Sequence, residues 1–360
     1  MELLEVKNAD RKNKKIQSVL MAVLAAALYG ISSPASKLLL VDIPPTLMAA
    51  LLYLGAGLGM LAVNLLKLLK KKEQLEAKMT KKELPYIIAM VVLDIAAPIF
   101  LMLGLTMTTA ANASLLNNFE IAATSLIALF IFKEAVGKRL WLAISFITLS
   151  SIVLSVKDFS SFSFSIGSIF VLFACVSWGL ENNCTRMLSL KDPLQIVVVK
   201  GFGSGAGALI ISMLLKEYSS NFLYIFLALV LGFFAYGLSI FFYISAQREL
   251  GAARTSAYYA AAPFIGVLIS WVVLQEGITQ TFLIALMIML VGTYFAVTED
   301  HKHSHVHAEE SHEHKHSHDD GHHSHTHYPE IVGEHSHEHT HEAIEHKHAH
   351  LPDLHHRHTH

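Results

Sequence analysis

The sequence predicts an all-α membrane protein of ten transmembrane helices, arranged as two inverted five-helix repeats, followed by a disordered histidine-rich tail. Three observations predict this class. The 360 residues are 53% hydrophobic and only 16% charged, whereas soluble domains are roughly 45–50% apolar and 25% charged. All 23 histidines fall at or after His301. The residues before them form two similar halves.

Ten stretches are long and apolar enough to cross a bilayer, which requires about 20 such residues. Pro34, Pro98 and Pro263 fall inside these stretches and predict kinks, because proline has no backbone N–H. Alternate glycines within 55–59 and 201–207 predict close helix packing. The spans are predicted near 16–38, 45–67, 84–107, 109–132, 139–156, 166–186, 193–215, 222–246, 252–274 and 279–297.

The distribution of lysine and arginine predicts the orientation. Nineteen of these residues flank one side of the predicted spans, against only Lys157 and Lys216 on the other. Positively charged loops favour the cytoplasm. The segment 1–15 and the tail are therefore expected to be cytoplasmic. The segment 1–15 is charged, and the long apolar run after it is expected to be retained as a helix, not cleaved as a signal.

The chain repeats itself. A shift of 149 residues places YGISSPASK on WGLENNCTR, and a shift of 142 places TAANASLL on GAARTSAY. Because each half holds five helices, the second half must enter the membrane from the opposite face, which makes an inverted repeat. The predicted repeats are 16–156 and 166–297, and the tail is 301–360. Pro263 falls on Ile121, so two equivalent kinks are not expected.

The paired segments resemble a known family. Small residues open a helix at Ala110–Ser114 and again at Ala252–Ser256, and Glu134 and Glu276 follow near the helix ends. These features resemble the EamA-type repeats of the drug/metabolite transporter superfamily, over residues 16–297. The resemblance implies a plasma-membrane carrier that exports or exchanges small metabolites. The substrates of such carriers are too diverse to be carried over.

Carboxylates within the predicted spans are the first candidates for function. Asp94, Glu120 and Glu181 all qualify, because a carboxylate in hydrocarbon is costly unless it is paired, hydrated or protonated. Glu120 is in mid-span beside Asn117 and Asn118. Burial favours the neutral acid, so Glu120 is a hypothetical proton-coupling residue. The alternative is that it only hydrogen-bonds a neighbouring helix.

Other polar residues in the spans are candidates for contact with substrate or protons. Asn182 follows Glu181. Either the two line a cavity, or Glu181 forms a local ion pair with Arg186. Lys200 follows three valines and is a candidate contact for an anionic substrate. Lys37 is near a helix end, and its long side chain is expected to extend to the interface.

The tail is predicted to be disordered, because a low-complexity segment with few apolar residues cannot form a core. Repeated His-x-His spacing with nearby carboxylates suits Zn, Ni, Co or Cu ions. Whether bound metal has a buffering or regulatory role is left open. The candidate low-specificity ligands are His301, His303, His305, His307, His312, His314, His316, His318, His322, His323, His325 and His327.

The leading functional hypothesis is a secondary carrier of a small organic metabolite, whose two halves rock around a midplane site. A divalent-metal carrier is one alternative, although the first 300 residues contain no histidine. A membrane-anchored metal sensor or store is another. An enzyme is not expected, because an HExxH zinc site or a serine–histidine pair requires histidine in the spans.

The expected partners are the lipid bilayer, a small-molecule substrate and, at the tail, divalent metal ions. No cofactor is required by this hypothesis. Nucleic acid is not expected as a partner, because membrane topology explains the positive loops. A homodimer is left open.

Overall fold

The computed structural model describes residues 2–69, 79, 81–131, 136–158, 163–188, 191–250, 255 and 258–298, with 301–306, 310–316, 335–341 and 345–350 of the tail. Side chains are described within 16–298, apart from those at 68, 157–158, 163 and 248–249 in these stretches.

Among the described helices of the first half, four are long and three are short. A 3₁₀ turn at Lys81–Glu83 leads into the third span. The helices are α1 (Glu2–Gly30), α2 (Ser32–Leu39), α3 (Pro45–Leu69), α4 (Leu84–Met107), α5 (Ala110–Leu116), α6 (Phe119–Phe130) and α7 (Lys138–Ser155). Of these, α1, α3, α4 and α7 are long, whereas α2, α5 and α6 are short.

A short antiparallel hairpin joins the halves, and it consists of β1 (Val156–Asp158) and β2 (Ser163–Phe164). Side-chain caps begin several helices of the second half, as at Ser165 before α8 and Asp192 before α9, because the first N–H groups of a helix need outside acceptors. The helices are α8 (Ile166–Arg186), α9 (Pro193–Leu214), α10 (Phe222–Gly232), a π-helical segment (Phe233–Leu238), α11 (Ser239–Leu250), α12 (Ala262–Val273) and α13 (Gln280–Val297).

The all-α membrane fold is confirmed. Two predicted spans differ in character from the rest: α8 has 21 residues but carries several polar side chains, and α12 is an apolar helix of 12 residues. The other eight runs are long and apolar enough to cross a membrane. They are Ile16–Leu39, Pro45–Lys67, Lys81–Met107, Ala110–Phe130, Lys138–Ser155, Pro193–Leu214, Phe222–Gln247 and Gln280–Val297.

Many large apolar side chains are exposed on the outside of the helices, and many small residues are buried between them. Leu214 and Phe222 are 76% and 83% exposed, whereas Ala22 and Ala97 are fully buried. Lipid is as apolar as a leucine side chain, so close packing of small residues drives helix association in a membrane. This distribution of sizes is the one expected for a helix bundle surrounded by lipid.

The helix contacts follow a twofold pattern. α3 packs on α9, and α7 packs on α13, so each of these pairs joins corresponding helices of the two halves. The contact of α4 with α8 has its counterpart in the contact of α1 with α11. Gly30 lies against α12 at Ala262, and Gly179, which the 149-residue shift places on Gly30, lies against α6 at Thr124. This pattern is the one that an inverted repeat requires.

Glycines set the closest approaches between the halves. A Cβ atom added to Gly201 would lie 2.4 Å from the backbone nitrogen of Gly57, and one added to Gly55 would lie 2.1 Å from the carbonyl oxygen of Leu229. Both neighbours are backbone atoms, which cannot move away without shifting a helix. The glycines predicted to promote packing therefore hold α3 against α9 and α10.

We expect Gly55→Ala to lower the stability of the protein, because the added methyl group overlaps the α10 backbone. Overpacking of this kind costs about 1–3 kcal/mol, which would appear as a lower midpoint of thermal unfolding in detergent. Gly277→Ala is the matched control, since nothing lies within 4 Å of its added Cβ. Equal midpoints for the two variants would contradict the close contact of α3 with α10.

Several predicted spans are interrupted. The first breaks at Ile31 between α1 and α2, three residues before Pro34, and the fourth breaks at Asn117 and Asn118 between α5 and α6. Pro34 has no N–H, so it cannot donate to the carbonyl oxygen of Gly30. By contrast, α4 runs through Pro98 without interruption. The first interruption thus lies beside Pro34, where the sequence predicts a kink, whereas the second, at Asn117 and Asn118, has no such signal in the sequence.

The described parts of the tail lie in extended strands. They form two antiparallel ladders, in which β3 (His301–Val306) pairs with β6 (Glu345–His350) and β4 (Glu310–His316) pairs with β5 (His335–His341). The His-x-His pattern repeats every two residues, which is also the side-chain period of a strand. Composition alone excludes a core but does not exclude such pairing, and an isolated two-stranded ladder is marginally stable.

Candidate functional site

A group of charged side chains lies buried between the two halves. Lys200 on α9 places its Nζ 3.2 Å from Oδ2 of Asp94 on α4 and 2.9 Å from Oε1 of Glu181 on α8. The side chains of Asp94, Glu181 and Lys200 are 0%, 2% and 7% exposed. The sequence predicted each of them as a candidate, and the structure brings all three together.

Hydroxyl groups complete this charged cluster. The hydroxyl of Tyr53 on α3 donates to Oδ1 of Asp94 at 2.8 Å, and the hydroxyl of Thr185 donates to Oε1 of Glu181. Two carboxylates share one ammonium, so the cluster has a formal charge of −1 when all three groups are ionised. A buried ion is tolerated only when it is paired and hydrogen-bonded. Each carboxylate of the cluster has the Lys200 ammonium as its ion-pair partner and accepts a hydrogen bond from a hydroxyl group.

Glu120 lies beside this cluster and makes a separate contact. Its Oε1 accepts a hydrogen bond of 2.6 Å from Nδ2 of Asn182, the residue after Glu181 on α8. Nδ2 of Asn182 also lies 3.4 Å from the Thr124 hydroxyl. Glu120 is on α6 of the first half and is partly exposed. The Glu120–Asn182 contact therefore joins the halves next to the charged cluster.

A small cleft lies where the interrupted helices meet. It measures about 10 Å³ and is lined by Tyr29, Gly30, Ser33, Ser114, Asn117, Ala262 and Pro263. Asn117 is 7% exposed, and among the described residues its Oδ1 has no hydrogen-bond partner. Asn118 does not line the cleft, and its Nδ2 donates to the carbonyl of Leu115 at 3.3 Å. The two asparagines, predicted together, thus lie in different surroundings.

Tyrosines connect the cleft to the charged cluster. The ring of Tyr236, on the π-helical segment, lies 5.3 Å from the ring of Tyr53 and 6.0 Å from that of Tyr29. Ser32 donates to the Tyr236 hydroxyl at 3.3 Å. Tyr53 and Tyr236 are not among the residues predicted from the sequence. Their only sequence signal is a hydroxyl group within an apolar span, and many interfacial tyrosines share it.

Two predicted residues cap helices. Lys37 is partly exposed and donates to the carbonyls of Leu105 and Thr108, at the end of the membrane-spanning helix α4. A lysine at a helix C-terminus satisfies carbonyls that have no helical partner. Glu276 accepts from the backbone N–H groups of Ala110 and Ala111, each at 2.8 Å.

The capping role of Glu276 explains one half of the repeated pattern. Glu276 follows the small-residue segment of the second half, but it caps the corresponding segment of the first half, at the start of α5. The corresponding residues Glu134 and Ala252–Arg254, together with Ser256, lie outside the described residues.

The tail histidines are only partly placed. His301, His303 and His305 lie on β3, and His312, His314 and His316 lie on β4. The remaining candidate ligands lie outside the described residues, and they are His307, His318, His322, His323, His325 and His327. The ladder register places His303 opposite His348 and His314 opposite His337.

Comparison with known proteins identifies the family. The sequence model of the EamA-like transporter family matches residues 16–156 and, a second time, residues 165–298. An uncharacterized transporter from Methanothermobacter thermautotrophicus (strain Delta H) is 26% identical over 297 residues, which cover 78% of this chain and 86% of that protein. A solved crystal structure superposes with a TM-score of 0.56 at 16% identity, covering 78% of this chain and 95% of the other. This multi-pass membrane protein belongs to the EamA-like transporter family.

Proposed function

We propose that the protein is a secondary active transporter that exports or exchanges a small organic metabolite across the plasma membrane, coupled to protons through Glu120. Both termini would face the cytoplasm, as the positive loops favour. The observation that best supports this proposal is the hydrogen bond between Glu120 and Asn182, which joins the halves directly beside the buried charged cluster.

Glu120 is the carboxylate best placed to exchange a proton. Asp94 and Glu181 share the ammonium of Lys200, so protonating either of them weakens an ion pair. Glu120 accepts from a neutral amide and is partly exposed. Proton uptake there has the smaller electrostatic cost, because no described salt bridge is lost. A change of charge at Glu120 would alter the Asn182 contact and so affect how the halves pack.

The charged cluster has a different proposed role. Tyr53 and Asp94 belong to the first half, and Glu181 and Lys200 belong to the second. A buried ion pair between halves is strong only when its geometry is maintained. We therefore assign the cluster to holding one arrangement of the halves, and we assign proton exchange to Glu120.

The alternative of a divalent-metal carrier is less well supported. Lys200 places an ammonium between Asp94 and Glu181, so these two carboxylates already have a cationic partner. Within 16–298, among the residues whose side chains the structure describes, groups of three or more His, Cys, Asp or Glu suited to hold a metal are absent. A small organic substrate is the better hypothesis.

The tail is a separate candidate for metal binding, with a regulatory or buffering role. Residues directly opposite each other in an antiparallel ladder lie on the same face, as do alternate residues of one strand. His301, His303 and His305 pair with His350, His348 and His346, so these six positions share one face. Imidazole suits Zn, Ni, Co and Cu ions. This arrangement also supports the alternative of a membrane-anchored metal sensor or store.

The proposal can be tested with the purified protein in liposomes that contain a pH-sensitive dye. Amino acids, amines and divalent metals would be offered in turn, to the full chain and to a chain ending at residue 300. A small organic solute that drives proton movement supports the proposal, whereas movement driven only by metals supports the alternative. If metal changes the rate for the full chain but not for the shortened chain, the tail is regulatory.

A further inference from the structure

The cleft between the interrupted helices contains buried oxygen atoms without partners. Ser114 and Asn117 are 2% and 7% exposed, and among the described residues neither the Ser114 Oγ nor the Asn117 Oδ1 has a hydrogen-bond partner. Both residues line the cleft. A buried oxygen without a partner is costly, so a ligand that these atoms can contact would offset that cost.

The inverted repeat relates the cleft to the position of the Glu120–Asn182 hydrogen bond, and it shows why the two positions differ. The 149-residue shift places Ser33 on Asn182, and the 142-residue shift places Glu120 on Ala262. At one of the two related positions, Glu120 of the first half and Asn182 of the second half meet across the interface in a hydrogen bond. At the related position, Ser33 and Ala262 both line the cleft, and their side chains are too short to make an equivalent contact. The cleft is thus the counterpart of the Glu120–Asn182 contact.

The cleft is also lined by Gly30, whose backbone carbonyl is a third oxygen candidate beside those of Ser114 and Asn117. Pro34 cannot donate to the Gly30 carbonyl, which lies at the end of α1, where the helix dipole is negative. A Cβ added to Gly266 would lie 2.6 Å from the Ser114 Oγ and 3.0 Å from the Gly30 carbonyl oxygen. These two oxygens therefore lie close to one point on the surface of α12. Carbonyls freed where helices are interrupted bind Na⁺ in transporters with inverted repeats.

We propose that this cleft is a binding site for one Na⁺ ion. Its volume of about 10 Å³ is sufficient for about one water molecule or one ion of similar size. Its oxygens are uncharged, which suits a monovalent cation better than a divalent one. Two of the lining residues provide no hydrogen-bond donor that would repel a cation: Ala262 has an apolar side chain, and Pro263 has no backbone N–H. The site is distinct from the proposed proton site at Glu120.

The test measures Na⁺ binding to the full chain in detergent, so its outcome does not depend on transport or on proton coupling. The midpoint of thermal unfolding is recorded against NaCl, with KCl and choline chloride at equal ionic strength as references, and binding of radiolabelled Na⁺ is measured directly. The wild type is expected to gain stability specifically in Na⁺, because a ligand that binds only the folded state stabilises it.

Ser114→Ala is the decisive variant. It removes an oxygen that has no described protein partner, so the midpoint without Na⁺ is expected to stay at or above that of the wild type. The Ser114→Ala variant should need an Na⁺ concentration at least about tenfold higher than the wild type for the same rise in the midpoint. Ser145→Ala, on the exposed face of α7, is the control and should respond as the wild type does.

Gly266→Ala provides a second, independent variant, because its methyl group would occupy the point near the Ser114 and Gly30 oxygens. It is expected to abolish binding of radiolabelled Na⁺. If the wild type shows no Na⁺-specific stabilisation, or if Ser114→Ala binds Na⁺ as tightly as the wild type, the assignment is overturned and the cleft is a site for water only. Either result leaves the proposal for Glu120 unchanged.

Discussion

Lys200→Met is expected to destabilise the protein more than any other single substitution in the charged cluster. The variant removes the ammonium that Asp94 and Glu181 share, and it leaves two buried carboxylates without this counter-ion. Removing one partner of a buried ion pair costs about 3–5 kcal/mol. We expect a strongly lowered midpoint of thermal unfolding in detergent, together with a reduced yield of folded protein.

A compensating variant separates the electrostatic effect from a simple loss of packing. Asp94→Asn and Glu181→Gln, added to Lys200→Met, replace the three charges by neutral groups of similar size. Replacing a complete buried charge group by neutral residues is often without net cost, so the triple variant should recover most of the lost stability. A single Lys200→Met variant as stable as the wild type would show that the carboxylates do not depend on this ammonium.

The fold could be predicted from the sequence because its main signals are local. A span such as 193–215 is recognisable from its own composition, and α9 lies at Pro193–Leu214. The inverted repeat was also accessible, since Gly30 and Gly179 align in the sequence and make equivalent contacts in the structure. Helix interruptions were harder to predict. A break at Asn117 depends on how neighbouring helices pack, and hydropathy does not report that packing.

The candidate residues could be predicted, but their partners could not. The cost of a charge in hydrocarbon is a property of the residue, so Asp94, Glu181 and Lys200 could each be selected on this ground. Their assembly depends on the packing of α4, α8 and α9, which is fixed by small residues far apart in the sequence. Tyr53 had no distinguishing signal, because its importance comes only from facing Asp94 at 2.8 Å.

In the tail, the local pattern could be predicted from the sequence, but the pairing of distant segments could not. Its composition predicts that no core can form, and the described strands pair only in two-stranded ladders. The alternation that places His301 and His303 on one face was visible in the sequence. Pairing of that segment with residues 345–350 was not, because a hairpin with so long a connection has no local turn signal.

Glu120→Gln is expected to abolish substrate-driven proton movement while leaving the protein folded. Glutamine has the shape of glutamate, and its Oε1 can still accept from Nδ2 of Asn182, as Oε1 of Glu120 does at 2.6 Å. It cannot take up or release a proton at neutral pH. In liposomes with a pH-sensitive dye, the variant should show no proton flux with substrate, whereas exchange of labelled for unlabelled substrate continues.

Asp42→Asn is the matched control for this prediction. Oδ2 of Asp42 also accepts from an asparagine amide, Nδ2 of Asn221, at 2.7 Å, but the pair is exposed. An exposed carboxylate can exchange protons with water without any movement of the halves, so its replacement should leave coupled proton flux unchanged. If Glu120→Gln moved protons as the wild type does, Glu120 would serve only as an acceptor for Asn182. The charged cluster around Lys200 would then be the remaining candidate for proton exchange, because its two carboxylates share a single ammonium.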